Sequence, residues 1–402
     1  MRILVLDTIH GGKIIARALL ERGYLVEMVD VYRGKEGISP RSAERSDYDL
    51  VIAPVHLYPG YPLLRSIPAP AVTHHQAVRW VMGRELPSPL VEITGARGKT
   101  TTAHALAHLM KGPGVLHTSM GTVSFPGKNL HGHDGITPAS LIKAASAAHT
   151  VGGWMIAEIS LGFIGAGQLG ILTSGDTYRF AGGEKDALGE KLRSGSLLPR
   201  IITPPGTVLG GNTVPADDIA SVDGDVCRYT WEGIRGKFSN PLLETEAYRN
   251  PIALAAAAAC IMGLDPSPLS TFSSLKGRMA FSWHGDTAVV DDSNSGTCAL
   301  TAREAIRFAR RASGFRGPLT LVIGKEDGAI CEGFPAEDIV GVVQSERPDN
   351  VILVGQGYDT HIFSSLQNDL HIEWCNSLAE GEALALKEAK GRMVVLAVKT
   401  WR

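Results

Sequence analysis

One string constrains this chain more than any other: Thr94-Gly95-Ala96-Arg97-Gly98-Lys99-Thr100-Thr101, set between the apolar Val91-Glu92-Ile93 and the helix-forming AHALAHLM. A strand, a glycine-bearing turn and a helix in that order belong to a parallel α/β sheet. Gly95 and Gly98 permit a tight turn, and the first helical turn supplies unpaired N–H groups and a positive dipole end. Lys99 has the reach to meet phosphate oxygens, and Thr100 carries a hydroxyl suited to Mg²⁺. The residues from Gly95 to Thr101 are therefore expected to bind a nucleotide phosphate. The spacing departs from the commonest phosphate loop, because Ile93 stands where its first glycine would be.

A nucleotide triphosphate needs acidic help to hold its metal. Glu158 is the expected ligand, since a carboxylate inside the apolar run MIAEIS requires a charged or hydrogen-bonded partner and a strand would deliver it to the sheet's carboxyl edge. Asp176 lies in a polar turn and is the weaker candidate.

Strand and helix patterns divide the chain into three expected parts. Residues 1–88 open with the apolar run Ile3 to Leu6, the pair Gly11-Gly12 and a helix over Lys13 to Glu21. Two prolines in ELPSPL, Glu85 to Leu90, mark a linker. Residues 89–275 hold the phosphate loop, strands at Trp154 to Ile159, Leu169 to Thr173 and Ile201 to Thr203, and a small-residue helix opened by Asn250-Pro251. Residues 276–402 alternate strands and helices again, from Thr287 to Val398. The proline-rich PLLRSIPAPAVTHHQAV is expected to form no single regular element.

The 402 residues carry a formal charge of −2, which provides no basic field for nucleic acid. The five cysteines, Cys227, Cys260, Cys298, Cys331 and Cys375, offer no close pair for zinc or redox work, and an odd number argues against a disulfide scaffold. The opening MRILVLDTIHGG lacks the features of a signal peptide, and the apolar stretch from Pro251 to Leu264 is too short to span a bilayer. A cytoplasmic protein without membrane or nucleic-acid partners is expected.

Ten of the 13 histidines lie within the first 149 residues. His10 precedes Gly11-Gly12; His56, His74 and His75 fall in expected loops; His131 and His133 form HGHDG. Imidazoles bind anions, ligate metals or move protons, so His10, Gly11, Gly12, His56, His74 and His75 are candidates for a substrate wall.

Taken together, TGARGKTT, AEISLGFIGAGQLGILTS, Asn250, the Gly277-Arg278-Met279 turn and VVDDSNSG resemble the Mur ligase superfamily over most of the chain. The resemblance implies an α/β fold of three domains: a central P-loop ATPase domain flanked by Rossmann-like N- and C-terminal domains. It places Glu158 as a magnesium ligand, Asn250 near the adenine, Arg278 near the nucleotide and Asp292 on the ribose. Lys191, in GEKLR, falls where much of the family has a carbamylated lysine that helps hold a second Mg²⁺; the unmodified alternative is an ordinary helix lysine. The family's Asp-His pair is replaced by Gly175-Asp176-Thr177, so the second metal site is open to alteration.

Within the superfamily, VLDTIHGG, TGARGKTTTAH and VVDDSNSG resemble the methanogen coenzyme F(430) synthetase branch. That resemblance implies ATP and Mg²⁺, with Lys99, Glu158 and Lys191 as the catalytic set and Thr100, Glu158 and Lys191 on metal. It also implies a carboxylated nickel tetrapyrrole as substrate, with the nickel in the substrate rather than in the protein. A propionate carboxylate would be activated as an acyl phosphate and closed onto a macrocycle carbon. Two alternatives stay open: an amide ligase using an amino-acid or peptide amine, and an ATP-responsive binding protein without turnover.

Overall fold

The computed structural model describes all residues except 84–85, 132–134, 313–316, 327–333, 364–365, 367–369, 389–392 and 401–402. Glu85, His133 and Cys331 thus lie outside the described residues. The chain is a mixed α/β protein with two compact units, Met1–Leu243 with Asn250–Phe272 and Glu244–Arg249 with Ser273–Arg402.

The first unit begins with a four-stranded parallel sheet, ordered Leu25–Met28, Arg2–Val5, Leu50–Ala53, Ala71–Thr73. Ile3, Leu4 and Val5 are wholly buried, as expected of a parallel strand packed on both faces. Helix Gly12–Leu20 follows Gly11, whose φ of 105° is left-handed. A side chain at Gly11 would also press within 2.6 Å of Ala139 Cβ, so glycine is required there on both counts.

The proline-rich string divides into a short helix, Pro62–Ser66, the strand Ala71–Thr73 and the helix His74–Met82. His74 and His75 therefore open a helix rather than sit in a loop. Its start is a reciprocal cap: the Thr73 hydroxyl accepts from Gln76 N–H, and Gln76 Oε1 accepts from Thr73 N–H.

The second sheet of this unit has eight strands, ordered Thr213–Pro215, Ile201–Thr203, Leu169–Leu172, Leu90–Thr94, Trp154–Glu158, Gly114–Thr118, Gly121–Phe125, Lys128–His131. The first six are parallel and the last two are added by antiparallel turns. Helix Lys99–Leu109 follows Leu90–Thr94 directly. The two sheets share one apolar core, in which Ile3, Val5, Ile15, Leu19 and Val78 join Leu90, Val115, Leu141, Met155 and Ala157. A three-stranded antiparallel meander covers Ala220–Asp223, Val226–Trp231 and Ile234–Ser239.

Helix Glu246–Ile261 corrects the expected start at Asn250-Pro251. It begins earlier and carries Pro251 inside, where the ring removes an N–H without ending the helix. Ile252 to Cys260 are all essentially buried, because small side chains allow close approach on every face.

In the second unit the sheet runs Ala280–His284, Thr287–Asp291, Met393–Lys399, Leu319–Lys325, Asn350–Val354, His371–Cys375. Only Ala280–His284 is antiparallel to its neighbour. Helices Ala299–Ala312, Ala336–Glu346 and Leu378–Glu388 connect its strands. Among the described residues no helix is long and apolar enough to cross a membrane, and Cys227, Cys260, Cys298 and Cys375 are unbridged.

Candidate functional site

The phosphate loop leaves the carboxyl end of Leu90–Thr94 and enters helix Lys99–Leu109 at Gly98. Gly95 has a φ of 155°, and a Cβ there would sit 2.1 Å from Thr173 Oγ1. Only glycine lets the neighbouring strand end come so near. Ala96 N–H donates to Ser174 Oγ at 2.9 Å, and Thr173 Oγ1 donates to the Arg97 carbonyl. The loop is thus held from the side by the end of strand Leu169–Leu172. Arg97 pairs outward with Asp176, Nε to Oδ2 at 3.0 Å.

Glu158 ends the adjacent strand and is 2% exposed. Its Oε2 accepts from Thr100 Oγ1 at 2.8 Å and from Ser119 N–H at 3.0 Å, while Oε1 lies 3.8 Å from Lys99 Nζ. Lys99 Nζ also donates to the Gly95 carbonyl at 3.1 Å. Thr100 and Ser119 hydroxyls are 3.1 Å apart. The structure therefore brings Lys99, Thr100 and Glu158 together. Among the described residues no group of three or more His, Cys, Asp or Glu side chains is arranged to hold a metal. One carboxylate beside a hydroxyl nonetheless fits Mg²⁺, which takes few protein oxygens and keeps water and phosphate for the rest.

Lys191 lies on helix Ala187–Gly195, capped by Asp186 accepting from Gly189 N–H at 2.7 Å. It is 1% exposed, and its Nζ has no hydrogen-bond partner among the described residues. The ammonium sits 5.8 Å from the Tyr178 ring centroid. Burial and the positive charge of Lys99 bring its pKa down to about 8, against the pull of Asp176 and Asp186. A buried lysine that is partly neutral near pH 8, with no protein acceptor, is a chemically suitable amine for carbamylation.

Of the remaining nucleotide candidates, Asn250 precedes Pro251, whose Cγ lies within 3.4 Å of the place a Cβ on Gly98 would take. In the second unit Arg278 occupies a turn whose carbonyl accepts from Tyr248 Oη. Asp292 is buried there, and burial pushes its carboxyl up to about 7 despite Thr301 and Arg278. Its Oδ2 is without a hydrogen-bond partner among the described residues.

The histidines converge. His10 meets His56 edge-on with ring centroids 4.6 Å apart and Tyr32 edge-on at 4.7 Å; Tyr32 and His56 stack at 5.8 Å. His74 and His75 are 2% and 4% exposed. Burial brings His56, His74 and His75 down to about 4, so all three are neutral at neutral pH. His75 Nε2 contacts the Ser160 carbonyl at 3.0 Å, whereas His56 Nε2 and His74 Nε2 are buried with no hydrogen-bond partner among the described residues. Ser160 stands two residues beyond Glu158 and donates its N–H to the Ile136 carbonyl at 2.8 Å. Thr137 and Ala139, just beyond, are the residues against which Gly11 packs. Through these contacts the histidine wall and the Glu158 strand end are connected within one unit. His131 ends an edge strand.

Three residues escaped the sequence reading. Asp7 is fully buried; it accepts backbone N–H from Ile9, His10 and Gly12 and lies 3.4 Å from His10 Nδ1. Burial alone would push this carboxyl up, but the His10 ring and those amides outweigh it and hold it well below the usual range. Glu92, inside the strand that feeds the phosphate loop, accepts from four successive amides, Ile164 to Gly167, at 2.7 to 3.1 Å. A buried carboxylate in an apolar strand was the signal available for Glu92, the same one that singled out Glu158. Ser119, beside Glu158, had no comparable signal.

A family profile described as "Coenzyme F430 synthetase CfbE, C-terminal domain" matches residues 282–400. The coenzyme F(430) synthetase of Methanosarcina acetivorans is 30% identical, over 88% of this chain and 90% of its own. The UDP-N-acetylmuramoylalanine–D-glutamate ligase of Syntrophotalea carbinolica is 26% identical over 86% and 80%. Among solved structures, the bifunctional folylpolyglutamate synthase/dihydrofolate synthase of Yersinia pestis, bound to AMPPNP and a manganese ion, superposes with a TM-score of 0.59. It covers 82% of this chain and 90% of its own at 14% identity, a likeness of fold.

Proposed function

The chain belongs to the Mur ligase superfamily, in the family of the coenzyme F(430) synthetases, and is an ATP-dependent ligase; from that premise we propose that it closes a carbocyclic ring on a nickel tetrapyrrole. The observation that carries this reading is the similarity to the Methanosarcina acetivorans synthetase along nearly the whole length of both chains.

A carboxylate is a poor electrophile because its charge is delocalised and its oxygen leaves badly. Transfer of the ATP γ-phosphoryl group to a propionate oxygen gives an acyl phosphate, whose carbonyl carbon is open to attack and whose phosphate leaves readily. In this reading Lys99 stabilises the charge of the transferring group, with Gly95 to Thr101 cradling the phosphates. Thr100, Glu158 and a carbamylated Lys191 would hold Mg²⁺, which when bound neutralises phosphate charge. Asn250, Arg278 and Asp292 contact adenine, nucleotide and ribose. Residues 1–88 provide the macrocycle wall, 89–275 the ATP site and 276–402 the C-terminal ligase domain. His10, Gly11, Gly12, His56, His74 and His75 line the acid substrate, where the neutral imidazoles of His56, His74 and His75 suit an apolar, flat ring better than a row of cations would.

An amide ligase would use the same activation, and the likeness to the muramoylalanine ligase keeps that second reading in view. ATP turnover with the seco nickel tetrapyrrole acid separates the cases. ADP and phosphate formed only when the acid is present, with a product lighter by one water than the acid and no added amine, supports ring closure. A product that incorporates an amino acid makes the chain an amide ligase, and acid-independent nucleotide binding without turnover makes it a binding protein.

A further inference from the structure

We infer that Asp7 and His10 form the unit that deprotonates the attacking carbon: His10 Nε2 takes the proton, and Asp7 is the positioning residue that sets the imidazole for it. The inference rests on the ring-closure reading above.

Ring closure makes a carbon–carbon bond from a C–H bond and an acyl phosphate. The C–H electron pair becomes the new bond to the carbonyl carbon, the carbon–oxygen bond to phosphate breaks with its electrons going to phosphate, and one proton must be accepted. Four histidines of the wall offer themselves, and their surroundings differ. His75 spends Nε2 on the Ser160 carbonyl and is buried. His74 is buried to 2% exposure, and His56 has its Nε2 enclosed. His10 keeps an open side chain, 39% exposed, and among the described residues it is the one of the four whose Nδ1 faces a carboxylate within 3.4 Å.

Asp7 Oδ1 lies 3.4 Å from His10 Nδ1, so the carboxylate favours the proton on Nδ1 and leaves the Nε2 lone pair free. Asp7 cannot drift: it is fully buried and gripped by the N–H groups of Ile9, His10 and Gly12. The ring is held from two sides, by the edge contacts with His56 and Tyr32 at 4.6 and 4.7 Å. A base oriented by a buried acid and clamped between rings is preorganised for a single proton transfer.

The test separates activation from closure in the full-length enzyme with ATP, Mg²⁺ and the seco nickel tetrapyrrole acid. Hydroxylamine traps the acyl phosphate as a hydroxamate, and mass spectrometry follows ring closure. His10→Ala is expected to lower ring closure by about 10²-fold more than it lowers hydroxamate formation, with imidazole in the buffer restoring part of the closure. Asp7→Asn is expected to slow closure while hydroxamate formation continues, and Asp7→Glu to recover part of the loss. Closure at the parental rate in folded His10→Ala, or equal losses of hydroxamate and ring product without imidazole rescue, would overturn the assignment. Absence of hydroxamate from the parent enzyme itself would instead overturn the substrate reading.

Discussion

Around Glu158, charge is answered at short range: Thr100 and Ser119 donate to one oxygen and Lys99 stands 3.8 Å from the other. Around His56 and His74 the opposite holds, for their buried Nε2 atoms have no hydrogen-bond partner among the described residues and their rings are kept uncharged. On the proposed function, the first arrangement would receive a highly charged ligand among groups whose own charges already answer one another. The second leaves two buried nitrogens without a protein partner among the described residues, and such a group costs roughly 1–3 kcal/mol when nothing meets it. On the proposed function, a phosphate site and a site for a broad apolar acid would impose contrary electrostatic demands within one packed unit.

The largest effect that can test this contrast is at Lys99. Lys99→Ala should fold normally and lose about 10²-fold or more in acid-dependent phosphate release, the scale of removing one preorganised charge from a transferring group. Near-parental turnover would strip the loop of its role. Glu158→Gln keeps the size but not the charge, and should cut turnover by roughly 10-fold or more, with a raised Mg²⁺ requirement and little change in the melting temperature measured without nucleotide. If Mg²⁺ titrations of parent and variant coincide, Glu158 only caps the turn of Ser119.

Glu92→Gln moves the comparison from catalysis to stability. The amide must present an NH₂ to the two donors that had faced one carboxylate oxygen, leaving two of the four backbone N–H groups of residues 164–167 unpaired. A loss of about 2–3 kcal/mol in urea unfolding is expected; an unchanged midpoint would mean that water replaces the carboxylate.

An effect of a different kind is the acid sensitivity of the histidine wall. His56, His74 and His75 titrate near 4 when folded and near 6.5 when unfolded, so unfolding takes up protons between those values. Their contribution is fully present above pH 6.5 and is lost as pH falls towards 4; Asp7 titrates below that window. Calorimetry at pH 5 in buffers of different ionisation enthalpy should register the uptake, reduced in His74→Gln. Equal uptake in the variant would place the titration elsewhere.

The strand–loop–helix at residues 90–109 was legible because its signal resides in consecutive residues: glycine, lysine and threonine at fixed spacing need only a strand before and a helix after. Glu158 was legible because charge inside an apolar run asks for a partner. The same logic reached neither Glu92 nor Asp7. Glu92 sits in a run the eye gives to the phosphate loop, and Asp7 lies in a turn where an acid needs no explanation until its burial is seen. His56 and His10 are 46 positions apart, and only the order of the first sheet brings their loops together. The helix His74–Met82 was hidden by prolines upstream, although Thr73 and Gln76 spell its cap. Lys191 could be placed on a helix but its burial could not, since helix periodicity does not reveal which tertiary neighbour covers a polar face.

The core shared by the first two sheets bears on how such an enzyme can diversify. Val5, Ile15 and Val78 belong to one apolar cluster with Met155 and Ala157, so the chain before residue 89 is no interchangeable cassette. Recombination there would pair two apolar faces that never adapted to each other, and both halves would expose greasy surface to aggregation. On the proposed function, new acid substrates would be reached more readily by exchanging residues at the loop tips, where His10 and His56 stand, than by importing a whole foreign domain.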